Sequence, residues 1–174
     1  MIILRPILTL ASATALTLIS TSAGAGAFPA PQSQDLDVLG TGNGNEPRSS
    51  QLTAEVNEAT RNESGNLLSV TWSITNNGNE DVVLSWFIDQ SYAYTGRTFS
   101  AITATNTDGS IRYHPIMDDE GYCLCSGEYS AQLDVTASSG QTITYWSTFS
   151  VPSSLDSITV DIPEFDPIED IPIS

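Results

Sequence analysis

The chain has 174 residues, with 5 Lys+Arg against 21 Asp+Glu and a formal net charge of -16. That balance argues against sequence-independent binding to nucleic acid or to an anionic bilayer. A hydrophobic content of 40% with 3 Trp, 6 Tyr and 5 Phe is too rich in core-forming residues for a disordered acidic tail.

Met1 to Arg5 gives a short, singly basic start, and Pro6 to Ser22 follows as an apolar run that ends in small residues. Ala23-Gly24-Ala25 fits the small-x-small cleavage pattern, so residues 1–25 are predicted to be a signal peptide. An uncleaved anchor fits less well, because Thr9, Ser12, Thr14, Thr17, Ser20, Thr21 and Ser22 dilute the apolar run. The expected protein is secreted or held at the cell surface, with no membrane span after signal cleavage. Arg5 lies in the leader and no acid precedes Asp35, so the mature chain carries 4 minus 21, or -17.

Residues 26–50 are rich in Gly, Pro, Ser and Asn and are expected to be a flexible N-terminal arm, with Leu36, Val38 and Leu39 able to add an edge strand. From Gln51 the pattern turns to period two. Leu52, Ala54 and Val56 alternate with polar residues, as do Leu68, Val70, Trp72 and Ile74. Asn76-Asn77-Gly78-Asn79 reads as a hairpin turn into a return strand over Val82 to Ile88. Further strands are expected over Thr98 to Ala104, Ser110 to His114, Tyr129 to Ala137, Ile143 to Val151 and Ile158 to Ile162. Seven or eight short strands between Asn/Gly/Ser turns predict an all-β, two-sheet antiparallel β-sandwich over residues 51–163, with an antiparallel barrel as the other topology the pattern allows. Residues 164–174 read as an acidic tail broken by Pro167 and Pro172, in which Phe165, Ile168, Ile171 and Ile173 argue for partial docking.

The run Leu67-Leu-Ser-Val-Thr-Trp-Ser-Ile-Thr-Asn-Asn-Gly-Asn-Glu-Asp-Val-Val-Leu84 resembles the strand, Asn/Gly turn and strand of immunoglobulin-like domains of secreted bacterial proteins. Gly140 to Val160 is similar to their late strands, and the resemblance covers about residues 51 to 162. It implies a fold with adhesive, binding or accessory uses and carries over no catalytic residue. The chain departs from the antibody pattern, since Cys123 and Cys125 cannot be the two ends of a long-range bridge between sheets.

Cys123-Leu124-Cys125 holds both cysteines, and export opens disulfide chemistry to them. A local disulfide is the favoured reading, against two free thiols or metal and redox chemistry. Asp118-Asp119-Glu120 offers hard oxygen donors that suit calcium, but no EF-hand spacing is present and a solvated acidic loop is the favoured reading of the triplet. The single histidine, His114, ends a strand and reads as a surface or hydrogen-bonded residue. No Gly-x-Ser-x-Gly elbow and no phosphate loop occurs. The expected function is therefore a noncatalytic binding or accessory domain, with Tyr92, Tyr94 and Tyr122 as loop residues that meet an extracellular protein or surface component. A metal-dependent or carboxylate-dependent extracellular hydrolase is the alternative, and paired carboxylates would be its chemistry.

Overall fold

The computed structural model describes residues 36–88 and 93–174. The expected leader, the first part of the arm and Tyr92 lie outside the described residues.

The first sheet is antiparallel in the order β1 (Gly40–Asn43), β2 (Leu52–Arg61), β3 (Leu67–Asn76), β8 (Thr142–Ser150). Its inner face is what the period-two residues predict: Leu52, Ala54, Val56, Leu68, Val70, Trp72, Ile74, Tyr145 and Phe149 are all buried. The β2 pairing shifts register between Val56 and Glu58, so the extra residue Asn57 resets the alternation and Ala59 again points inward. Polar Ser147 lies among these apolar residues because its Oγ accepts the indole N–H of Trp72 at 3.3 Å.

The second sheet runs β10 (Ile168–Pro172), β9 (Ser157–Asp161), β5 (Thr103–Thr105), β6 (Arg112–Tyr113), again antiparallel. Ala104, Ile158, Val160, Ile168 and Ile171 join one core with the first sheet, which makes the architecture a β-sandwich. A two-residue ribbon pairs β4 (Val82–Val83) with β7 (Thr136–Ala137), and no ladder closes into a barrel.

Three expected strands are corrected. Val82 to Ile88 does not return along β3, because β8 occupies that edge over nine register pairs. The Asn76 amide donates to the carbonyls of Glu80 at 2.8 Å and Ala137 at 2.9 Å, while its Oδ1 accepts the Gly78 amide, so the Asn/Gly turn steers the chain off the sheet. A 3-10 turn at Ser85–Phe87 then places Phe87 in the core. Thr98 to Ala104 keeps only its end as strand, since Thr98 and Ser100 bond each other in a buried pair. Of Tyr129 to Ala137 only the last two residues pair, and Ala131 takes a left-handed φ of 56°.

The ends of the domain are better ordered than their composition suggests. Gly40-Thr41-Gly42-Asn43, the centre of the expected flexible arm, is strand β1. Its glycines are needed for close approach: a Cβ on Gly42 would sit 2.4 Å from the Asp166 carbonyl oxygen, and one on Gly44 1.8 Å from that of Ser49. The expected tail supplies β10, and Ser174 exchanges backbone hydrogen bonds with Ala59 and Arg61 of β2.

Trp72→Ala should cost about 3–5 kcal/mol by leaving a cavity in the core, whereas Ser69→Ala on the exposed face should stay within about 0.5 kcal/mol; denaturant unfolding checks both. Burial pushes the Tyr145 hydroxyl well above the usual tyrosine range, with the Asp134 carboxylate adding to the effect. A value raised in the folded state stabilises fully below the unfolded pKa near 10 and is lost as pH climbs beyond it. Stability should therefore fall more steeply above about pH 10 in the wild type than in Tyr145→Phe.

Candidate functional site

The hairpin between β5 and β6 is built by its turn. Gly109 adopts φ 69°, the Asn106 Oδ1 accepts the Ile111 amide at 2.9 Å, and the Asp108 Oδ1 accepts the Ser110 amide at 2.9 Å. Those Ser110 bonds hold the Asp108 carboxyl below the usual range. The register sets Ala104 opposite Tyr113 and Thr105 opposite Arg112. Ala104 is buried in the core and Tyr113 packs against it, so Arg112 and His114 project from the outer face. Pro115 then leaves the second sheet and bridges Phe149 of β8.

A groove of about 740 Å3 opens beside this hairpin, with Thr103, Arg112 and His114 on one side and Tyr94, Ser100 and Met117 among the other lining residues. The Tyr94 hydroxyl donates to the Pro115 carbonyl at 2.7 Å, which fixes one wall. Among the described residues no aspartate or glutamate lines the groove. Among the described residues Arg112 pairs with Asp161, 4.0 Å from its Nη2, and the Arg112 side chain is 59% exposed. A smaller cavity of about 300 Å3 lies over Gln132, Asp134 and Thr144 and carries no basic residue.

Cys123 and Cys125 form a disulfide with Cα atoms 5.3 Å apart. It sits in the arm of the loop that covers β8, where Cys125 bridges Ser147 and Cys123 bridges Met117 at the groove wall. The acidic triplet forms the tip of that loop. Asp118 Oδ1 accepts the amides of Glu120 at 3.0 Å and Tyr122 at 2.8 Å, and Gly121 takes φ 86°. Among the described residues no group of three or more His, Cys, Asp or Glu side chains could hold a metal ion. Asp118, Asp119 and Glu120 are thus not brought together as a calcium shell; Asp118 is spent on the turn.

The expected aromatic contacts divide. Tyr94 lines the groove, while Tyr122 packs on Tyr129 with ring centroids 4.2 Å apart. Hydrogen bonding with Tyr129 raises the Tyr122 pKa from its ordinary value. Tyr129 is 59% exposed and lies against Gly96, where a Cβ would meet its ring at 2.3 Å. Arg112 and Met117 were not singled out by sequence. The available signal was the spacing of Arg112 and His114, two apart in a strand and hence on one face.

No family model matches the chain, and no curated protein matches it. Among solved structures it is similar to a functionally unknown protein from Listeria monocytogenes EGD-e, at 15% identity and a TM-score of 0.42 over 79% of this chain and 85% of that one. The immunoglobulin-like resemblance finds no support in these comparisons.

Because the disulfide closes a loop of about three residues, removing it should cost only about 1.6 kcal/mol on the loop-entropy estimate. Cys123→Ser with Cys125→Ser should therefore remain folded by circular dichroism with a modest drop in midpoint; global unfolding would show that the bond holds more than its own loop.

Proposed function

We propose that this chain is a noncatalytic extracellular binding domain and that the groove at Arg112 and His114 seats a ligand bearing one carboxylate beside an apolar body. The observation that carries the reading is local: in a chain with 21 acidic residues, a guanidinium and an imidazole share a groove whose described lining residues include no acid. Its volume falls within the range of small-ligand sites. Met117 and Ile116 supply apolar surface, and the exposed Arg112 fork suits bidentate contact with a carboxylate. The net charge of -16 limits the ligand to few negative charges. Export is supported by the disulfide, which persists in oxidising compartments.

Isothermal titration with 3-phenylpropanoate and its uncharged amide tests this reading. The acid should bind at least about 10-fold more tightly than the amide, and Arg112→Gln should weaken the acid by about 10-fold, as expected for loss of a charged hydrogen bond. Equal binding of acid and amide, or indifference to Arg112→Gln, would remove the groove from the account.

A further inference from the structure

We infer that the open edge of β6 accepts an extended peptide as an added strand, with one acidic side chain of that peptide reaching Arg112 and His114. The inference deepens the groove assignment and rests on it for the carboxylate contact, but the strand addition has its own evidence in the backbone.

Hydrogen bonding alternates along an antiparallel pair. The Asn106 amide donates to the Ile111 carbonyl at 3.1 Å, so the next pair, Thr105 with Arg112, is the non-bonded kind and Ala104 with Tyr113 is bonded again. The amides and carbonyls of Arg112 and His114 consequently point away from β5. Among the described residues they have no hydrogen-bond partner. The two residues present their donor and acceptor groups about 7 Å apart, the repeat an extended chain matches.

The outer edges of the two four-stranded sheets are elsewhere covered in part or bent. On the first sheet, the segment at residues 164–166 meets the end of the edge strand β1, with the Asp166 amide donating to the Asn43 carbonyl and the Asn45 amide to the Glu164 carbonyl, and Ser174 bonds Ala59 and Arg61 where β2 extends past β1. The opposite edge, β8, is covered by the disulfide loop through Ile116, Leu124 and Ser126. On the second sheet, β10 carries a register shift between Ile168 and Ile171, with Asp170 at φ 56°, and such a bulge turns an edge away from pairing. Among the described residues the β6 edge combines unpaired backbone groups with an adjoining groove. Strand addition would draw affinity from the backbone and selectivity from alternate side chains. The occupant is specified by charge: one carboxylate complements Arg112 and His114, while a run of acids would meet the repulsion of the whole surface.

The test uses a fluorescent peptide, N-acetylated and C-amidated, of sequence Val-Thr-Glu-Val-Thr, and five versions each N-methylated at one residue. In fluorescence anisotropy, methylation should weaken binding at least 10-fold at alternate positions and less than 2-fold at those between, because every second amide faces β6. Arg112→Gln and the peptide with Gln for Glu should each lose about 10-fold. Tolerance of methylation throughout, or equal loss at every position, overturns strand addition even if the Glu and Arg112 dependence survives, in which case the carboxylate groove stands alone. Failure of the peptide with retained binding of 3-phenylpropanoate also overturns it. If neither probe binds, both assignments fall.

Discussion

The rings gathered on Trp72 are the contact on which the irregular half of this molecule depends. Trp72 meets Phe87 edge-on at 5.7 Å, Phe99 at 6.5 Å and Tyr145 at 4.6 Å between centroids. Phe99 in turn stands perpendicular to both Phe87 and Tyr145. Two of these residues lie outside strands, so the cluster anchors the chain on either side of the undescribed residues 89–92 to the first sheet. Aromatic contacts of this kind add about 0.5–1.5 kcal/mol beyond burial. Next to this cluster Ile102 and Ala104 are committed inward, so Thr103 between them faces the groove.

The second constraint is the need to satisfy backbone groups at the edges of the first sheet. The chain meets it by crossing between layers. Pro115 carries it from the second sheet to the edge of β8, and Ile173 and Ser174 carry it from β10 to the edge of β2. At the opposite end of β2, beside Leu52, Arg48 pairs with Glu164 and lies 4.5 Å from the centre of the Trp86 ring. Glu164 adopts φ 70°, and its carbonyl accepts both the Asn45 amide and the Ser49 hydroxyl. An exposed ion pair contributes little alone. Here its partners share a segment already fixed by backbone bonds, which lowers the entropy of making it.

Much of the fold was legible because inward residues in long strands declare themselves by alternation. β2, β3, β8 and β9 all follow it, and Trp72 was identifiable as a core residue on that basis. Alternation failed where apolar residues serve turns and loops: Trp86 and Phe87 sit on a 3-10 turn, and Tyr129 is surface-exposed. Composition misled at Gly40 to Asn43, since small residues there reflect close approach to Asp166 and Ile168 rather than flexibility. Partner choice was also invisible, because an Asn/Gly turn suggests reversal into the next segment but cannot reveal that residues 142–150 outcompete it. Tyr94, a loop aromatic in the sequence, lines the groove, but the groove itself was not legible. Its floor comes from the β5–β6 hairpin and its walls from loops far apart in sequence.

The distribution of charge gives the groove its meaning. Among the described residues only two ion pairs form, Arg48 with Glu164 and Arg112 with Asp161, and the second is at the 4.0 Å limit of contact. Most carboxylates therefore stand unpaired, and beyond about 8 Å at physiological salt their repulsion is largely screened. The ligand proposed for the groove would meet a different field at short range, where Arg112 and His114 project from one face and the described lining residues supply no acid. Arg112 is only partly compensated by Asp161, so a single carboxylate can compete for its exposed fork without displacing a buried partner. The same arithmetic penalises a multiply charged anion, which gains one local contact and meets the unpaired acids over the rest of its length.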